Sequence, residues 1–171
     1  FHVSKYTIKN IHARRVWDSR GRPTVETEVT LRYGALGRAI APAGASTGSG
    51  EAVERRDGGT AFGGLDVQGA ISAVETEIAP ALKGWDVREQ AAIDARLIEL
   101  DGTSNRARLG GNALIATSMA VMHAAAAAEK LPLWQYLGPF QGGSNADILP
   151  LPEIQIFGGG AHAARRVDVQ D

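Results

Sequence analysis

Three stretches near the start of the chain have the hydrophobic pattern of β-strands. Residues 7–17 are rich in β-branched side chains, and residues 24–33 alternate regularly between two faces. One face of the second stretch consists of Val25, Thr27, Val29, Leu31 and Tyr33. This period of two predicts a half-buried strand. A third strand is predicted over residues 36–42, and the short links between the strands predict an antiparallel meander.

The period then changes to that of a helix. Residues 66–84 place apolar side chains at helical spacing, and Pro80 is expected to end or kink this helix. Residues 86–102 predict a second helix, with Asp86 as its N-cap and Gly102 at its end. The middle of the chain is therefore predicted to be helical.

The longest apolar-rich segment follows. Residues 112–130 are rich in alanine and predict a buried helix with Asn112 as its N-cap, and residues 131–138 predict a short helical turn. Strands followed by helices predict an α+β domain. A linker-like stretch then places a domain boundary after residue 143. Residues 1–143 are predicted to form the α+β domain, and residues 144–171 to begin a larger one.

Composition narrows the possible functions. The 171 residues are 44% hydrophobic and 22% charged, which is typical of a soluble globular protein. A formal net charge of -1 does not favour binding to nucleic acid or to an acidic membrane surface. Residues 112–130 are interrupted by polar side chains, so this segment is not expected to span a membrane. The absence of cysteine excludes disulfides and thiolate metal sites and suits the cytoplasm. Because the first residue is Phe1, we expect a longer protein.

Two loops of small residues could carry chemistry. The stretch APAGASTGSGEA, residues 41–52, is either a flexible linker or a loop that offers hydroxyls and backbone N–H groups to an anion or metal. It also matches the G-x-S-x-G elbow of hydrolases, but that elbow follows a strand of a large α/β sheet. The second loop, residues 157–164, contains three glycines and His162. Residues 54–57 are expected to be a solvated helix face.

Four stretches together resemble the enolase family, the phosphopyruvate hydratases. They are residues 13–29, 38–58, 98–137 and 148–163, and they occur in the family's order over nearly the whole chain. The combination of D-S-R-G with P-T-V-E, of G-A-S-T-G, and of L-D-G-T is specific to this family. The resemblance implies an N-terminal α+β cap domain followed by the start of a C-terminal (β/α) barrel, of which a full domain needs about 250 residues.

The resemblance also implies roles for individual residues. The first loop, with Gly44, Ala45, Ser46 and Thr47, is similar to the mobile loop that closes over the substrate. Ser46 matches the serine that binds the second Mg2+ through its hydroxyl and carbonyl oxygens, and hard oxygen ligands suit this ion. Magnesium is accordingly the implied cofactor.

The second loop and the end of the chain supply further matches. His162 matches a substrate-facing histidine, Gln170 a glutamine near the substrate, and Asp171 a glutamate that handles the proton of the leaving hydroxyl. The sequence departs from the family at three positions. Ala43 replaces a serine, Gly158 an asparagine, and Asp171 is one methylene shorter than the usual glutamate.

The resemblance implies a cytoplasmic lyase that dehydrates 2-phosphoglycerate to phosphoenolpyruvate in glycolysis, with a small phosphorylated carboxylate as substrate. Arg14 and Glu26 match positions at the family's dimer interface, so a homodimer or higher homo-oligomer is expected. The three departures motivate a second reading, a paralogue that acts on a related phospho- or phosphono-carboxylate. A third reading is a non-catalytic interaction protein that retains the cap fold. The fragment by itself is expected to be inactive, because the family's lysine base and metal carboxylates lie in the rest of the barrel.

Overall fold

The structure, a computed structural model, describes residues 4–44, 48–141, 148–156, 158–163 and 166. The chain divides into two compact units, Phe1–Leu137 and Gly138–Asp171. The domain boundary expected after residue 143, and the assignment of the second part to a barrel, remain predictions.

The first unit begins with the predicted antiparallel meander. Strand β1 spans Ile8–Trp17, β2 spans Pro23–Leu31 and β3 spans Leu36–Ile40, in the order β1-β2-β3. The inner face of β2 is buried through Leu31, as its alternation predicts. The prediction was wrong for Tyr33, which lies beyond the end of the strand and is 72% exposed.

The first predicted helix is interrupted differently from expectation. It comprises α1 (Gln68–Ala73), a π-helical turn (Val74–Ile78) and α2 (Ala79–Leu82). Pro80 does not end the helix, because it lies in the first turn of α2, where a missing backbone N–H is tolerated. The π-turn carries Glu75, whose Oε1 accepts a hydrogen bond of 2.7 Å from the backbone N–H of Ala13. The side chain of Glu75 thus pairs with a backbone N–H group of the edge strand β1.

Helix α3 (Gln90–Asp101) starts later than predicted. Asp86 is not its N-cap, since that carboxylate instead accepts hydrogen bonds from the backbone and side chain of Arg88. The end of the helix was predicted correctly. Gly102 has a φ of +70°, the left-handed conformation in which glycine commonly ends a helix.

Helix α4 spans Gly111–Glu129 and is followed by α5, Leu133–Leu137. The predicted N-cap Asn112 lies inside α4, and Gly110 takes the cap position without a side-chain hydrogen bond. Among the described residues, α4 alone has the length and mean hydropathy of a candidate membrane span. Core helices share these properties, and 67% of its apolar window is buried.

The core lies between α4 and the sheet. Buried side chains of β2, such as Val25 and Val29, pack against α4 together with β3, whereas β1 packs against α1, the π-helical turn and α2. At Gly37 the backbone of β3 comes so close to α4 that an added Cβ would lie 2.1 Å from the amide nitrogen of Ala124. A side chain at this position is therefore excluded unless the helix moves.

The second unit contains a 3-10 turn (Gly138–Gln141), an extended segment (residues 148–156) and another 3-10 turn (Gly160–Ala163). The extended segment exposes large apolar side chains. Leu149, Leu151, Ile154 and Ile156 are 82–91% exposed.

Gly37→Ala is expected to destabilise the full-length protein strongly. The new methyl group would meet helix backbone rather than a side chain that can rotate away. Overpacking of this kind costs roughly 1–3 kcal/mol, and we expect about 3 kcal/mol or more here. Urea unfolding gives the free energy of unfolding directly.

Gly50→Ala is the matched control, because nothing lies within 4 Å of an added Cβ and the residue has no left-handed φ. Its effect should stay within about 0.5 kcal/mol. Equal unfolding free energies for the two variants would contradict the packing at Gly37.

Candidate functional site

The first loop of small residues borders a cleft of about 630 Å³ in the first unit. Residues 41–44 form what we call the N-terminal stem of the loop, and residues 48–55 form its C-terminal stem. The cleft is lined by Gly44, Gly48, Glu51, Asn105 and Asn112, among others. Of the predicted loop residues, Gly44 lies at the cleft, whereas Ala45, Ser46 and Thr47 lie outside the described residues.

The N-terminal stem continues from β3 and is held by the neighbouring strand. The backbone N–H of Ala41 donates to the carbonyl of Val25 at 2.9 Å, and the hydroxyl of Thr24 donates to the carbonyl of Ala41 at 2.9 Å. One residue before Gly44, the guanidinium of Arg20 donates to the carbonyl of Ala43 at 2.7 Å. The stem is therefore fixed by groups from β2 and from the β1–β2 turn.

The C-terminal stem starts with a closed turn. The carboxylate of Glu51 accepts a hydrogen bond of 2.8 Å from the backbone N–H of Gly48, and the N–H of Glu51 donates to the carbonyl of Gly48 at 3.2 Å. Val53 then pairs with two segments, donating to the carbonyl of Asn105 and accepting from the N–H of Gly111, both at 2.8 Å. These bonds attach the stem to the α3–α4 connection and to the start of α4.

The contacts of Asn112 explain why this residue is not a helix cap. Its side-chain oxygen accepts from the backbone N–H of Arg55 at 3.0 Å, and its amide donates to the carbonyl of Arg55 at 3.1 Å. Gly110 allows this contact, since an added Cβ would lie 2.5 Å from the Cβ of Arg55. Gly110 also has a φ of +103°, which disfavours other residues. The glycines before α4 thus admit the loop stem.

The connection that receives the stem is organised by Asp101, whose exposed fraction is 1%. Its carboxylate accepts hydrogen bonds from the backbone N–H and hydroxyl of Thr103 and, at 2.8 Å, from the N–H of Leu109. Desolvation opposes ionisation, but these hydrogen bonds and the nearby Arg106 outweigh it and hold the pKa of Asp101 below its ordinary value. A charged carboxylate therefore fixes the loop on which the C-terminal stem rests.

Residues 54–57 were wrongly predicted to be a solvated helix face. The segment is not helical, and the charged side chains of Arg55, Arg56 and Asp57 bind backbone groups elsewhere in the chain. Arg56 donates to the carbonyls of Pro23 and Leu65, and the carboxylate of Asp57 accepts from two N–H groups at the start of α1, at 2.7 and 2.8 Å. These contacts could not be predicted from local sequence patterns. Asp57 lies 11 residues before Gln68, the first residue of the helix that it caps, which is outside the usual capping distance.

The other predicted site residues lie in the second unit or outside the described part. His162 falls in the 3-10 turn Gly160–Ala163. Gln170 and Asp171 lie outside the described residues. Their proposed roles therefore remain predictions.

Arg14 and Glu26, the predicted interface pair, face each other on β1 and β2. Their Nε and Oε1 atoms are 2.9 Å apart, Arg14 donates to Glu28 at 2.6 Å, and the Nε of Arg38 lies 3.5 Å from Glu26. The Nε of Arg14 is buried and, among the described residues, makes no hydrogen bond of acceptable direction. The outer face of the sheet therefore carries a compact ionic network with one unused donor.

The described residues do not by themselves fit a magnesium site. They contain no cluster of three or more histidine, cysteine, aspartate or glutamate side chains. The carboxylates at the cleft are also engaged, Glu51 by Gly48 and Glu54 by Arg56. Any metal near the first loop would need ligands beyond this set.

Comparison with known proteins gives consistent matches. Residues 8–137 match the family model described as "Enolase, N-terminal domain". The chain is 54% identical to an enolase of Acidothermus cellulolyticus over 164 residues, and 53% identical to an "Enolase 1" of Desulfitobacterium hafniense over 166 residues. An "Enolase 1" of Lactococcus lactis subsp. cremoris is 52% identical. These alignments cover 96–97% of the chain but only 37–38% of each relative.

Asp101→Asn is expected to lower the free energy of unfolding of the full-length protein by roughly 1–3 kcal/mol near pH 7, because hydrogen bonds to a buried charge are lost. The folded pKa is depressed, so this contribution is present above the unfolded pKa of about 3.9. It is lost as the pH falls through the folded pKa. The difference between wild type and variant should therefore shrink below about pH 4.

Urea titrations at a series of pH values measure this difference. Glu99→Gln is the control, since this side chain is 71% exposed and its ion pair is with Arg96 on the surface of the same helix. It should change stability little at any pH. A constant difference between wild type and Asp101→Asn down to strongly acidic pH would contradict the role of the Asp101 charge.

Proposed function

The chain belongs to the enolase family, and we propose that the whole protein is a lyase that dehydrates 2-phosphoglycerate to phosphoenolpyruvate. The observation that carries this proposal is the family match over residues 8–137, within which Gly44 and Gly48, the first and last residues of the G-A-S-T-G sequence, line the cleft. The chain spans little more than a third of the relatives' length. The reaction therefore also needs residues from the rest of the protein.

The proposed contribution of this chain to the active site is the loop of residues 44–47, on one side of the substrate. Dehydration of a phosphorylated hydroxycarboxylate requires removal of a proton next to the carboxylate and loss of a hydroxyl as water. We infer that Gly44, Ala45, Ser46 and Thr47 contact the substrate, because small residues let backbone groups approach an anion closely. Both stems are fixed by hydrogen bonds, so the loop starts and ends at defined positions beside the cleft.

The metal proposal rests on Ser46. A serine hydroxyl and a backbone carbonyl are hard oxygen ligands of the kind that Mg2+ accepts. A Mg2+ ion held in part by Ser46 would supply positive charge that favours an anionic transition state. Because the described carboxylates form no metal cluster, we propose that the remaining ligands come from the rest of the protein.

The proposed acid–base and substrate residues are His162, Gln170 and Asp171. A carboxylate at 171 could hold the proton that leaves with water, and His162 could hydrogen-bond the substrate. The shorter Asp171, together with Ala43 and Gly158, supports a second candidate, a paralogue specific for a related phospho- or phosphono-carboxylate. Proton transfer is sensitive to displacements on the order of 1 Å, so a shorter acid could reflect a different substrate.

We further propose that the whole protein forms a homodimer through the outer face of the sheet. Arg14 and Glu26 lie at the centre of this face, and Leu36 and Ile40 on β3 are each 46% exposed there. Charges at an interface fix its register and exclude wrong partners, and the exposed Leu36 and Ile40 would add apolar contact area.

The full-length protein is expected to turn over 2-phosphoglycerate, and Ser46→Ala should lower kcat by roughly a hundredfold or more, because alanine offers no hydroxyl ligand. The Mg2+ concentration for half-maximal activity should rise. Formation of the enol product, followed by its absorbance, measures both quantities.

Ser72→Ala on α1, an exposed serine outside the cleft, is the matched control and should retain wild-type kinetics. Wild-type protein that is folded but inactive on 2-phosphoglycerate would favour the paralogue. Unchanged kinetics of Ser46→Ala across a magnesium titration would instead remove Ser46 from the site.

Sedimentation of the full-length protein should show a homodimer at micromolar concentration. Arg14→Ala should raise its dissociation constant roughly tenfold or more, because Glu26 would be left without its closest cation in a desolvated face. Arg96→Ala, which removes a charge from the surface of α3, should leave the constant unchanged. A wild-type monomer at this concentration would contradict the interface.

A further inference from the structure

The turn between β1 and β2 is more rigid than its exposure suggests. The carboxylate oxygen Oδ1 of Asp18 accepts hydrogen bonds of 2.8 Å from the backbone N–H groups of both Arg20 and Arg22. The N–H of Asp18 donates to the carbonyl of Arg22 at 2.9 Å, and the N–H of Gly21 donates to the carbonyl of Asp18 at 3.0 Å. Gly21 has a φ of +70°, which the turn requires. Four hydrogen bonds therefore fix the backbone that carries Arg20.

This turn directs Arg20 towards the first loop. The guanidinium lies 3.4 Å from the second carboxylate oxygen of Asp18 and donates to the carbonyl of Ala43 at 2.7 Å. The bond joins residues 23 positions apart, so it is a tertiary contact and not a feature of the turn. A planar guanidinium held by a carboxylate on one side is a well-ordered donor. Lysine could supply the charge but not this geometry.

The position of the bond matters more than its strength. Pro42 has no backbone N–H, and Ala41 is the last residue of the stem with backbone pairing to β2. The Arg20 bond to Ala43 therefore fixes the chain at the residue directly before Gly44, which borders the cleft.

We propose that Arg20 is a positioning residue for the reaction: by holding the Ala43 carbonyl it sets where the substrate loop leaves the sheet. The proposal rests on the proposed function, since the loop is assigned to the substrate there. The proposal does not depend on whether Ser46 binds a metal ion. Asp18 acts behind Arg20, because it orders both the turn and the guanidinium.

The test uses Arg20→Ala and Arg20→Lys in the full-length protein. We expect kcat/KM on 2-phosphoglycerate to fall about tenfold to a hundredfold in Arg20→Ala, with most of the loss in kcat, because a displacement of about 1 Å at a reacting group has effects of this size. Arg20→Lys should lie between wild type and alanine. Free guanidinium added to Arg20→Ala should restore part of the activity. The melting temperature should change little, since one exposed hydrogen bond contributes modestly to stability.

Hydrogen exchange provides a readout that does not depend on substrate. Peptides that contain Gly44 and Gly48 should exchange faster in Arg20→Ala, whereas peptides from α3 should be unchanged. Arg22→Ala is the matched control, because Arg22 lies in the same turn and its described contacts are made by its backbone. It should retain wild-type activity and exchange.

The outcomes separate this proposal from the proposed function. Unchanged exchange in the loop peptides would overturn the positioning role, whatever the substrate. Faster exchange with unchanged kcat/KM would also overturn it, because the bond would then order the loop without serving the reaction. A wild-type protein inactive on 2-phosphoglycerate would contradict the proposed function alone, and the exchange comparison would still decide the role of Arg20. Should Arg20→Ala fail to fold, Arg20→Lys carries the same comparisons.

Discussion

The close contact between β3 and α4 at Gly37 is the constraint on which the rest of the first unit depends. Because position 37 has no side chain, the backbone of β3 lies against that of α4 near Ala120 and Ala124. The end of β3 leads into the N-terminal stem of the first loop, and the start of α4 receives the C-terminal stem through Asn112. This packing contact therefore helps to set the positions of the two elements from which the loop stems are held.

Hydrogen bonds from polar side chains hold the two stems of the loop in place. The two stems are irregular and largely exposed segments, and their backbone groups do not pair in a regular sheet or helix, so side chains or other loops supply the hydrogen-bond partners that fix them. Three side chains supply such partners directly, namely Arg20, Glu51 and Asn112. A fourth, Asp101, holds the α3–α4 connection against which the C-terminal stem lies. Each of these side chains forms at least one hydrogen bond with a backbone group. The cleft is thus bounded by backbone held in place, which suits a loop whose own residues are too small to anchor it.

The sequence predicted the elements and most of their ends well, but not the N-caps or the start of α3. Alternation identified β2 and helical spacing identified α4, because both patterns arise from the burial of one face. The caps predicted at Asp86 and Asn112 were wrong. A cap signal is local, but the side chain of Asn112 instead accepts a hydrogen bond from the backbone N–H of Arg55, 57 residues away. Asp57 shows the converse, since it caps a helix from outside the expected spacing. Of the candidate site, family resemblance identified the G-A-S-T-G loop, but no pattern indicated that Arg20 reaches Ala43.

Strand β2 has different chemistry on its two faces, and this difference bears on assembly. Its inner face is apolar except for Thr27 and is covered by α4, whereas the side chain of Glu26 on the outer face is only 9% exposed and lies between two arginines. A nearly buried ion pair usually contributes less to stability than well-packed apolar residues would, because both charges lose hydration. Stability of the single subunit is therefore a weak reason for this network. Specific pairing with a second subunit is a stronger one, since charges at an interface fix its register and exclude wrong partners. The exposed Leu36 and Ile40 on the neighbouring strand would supply the apolar area that such an interface needs.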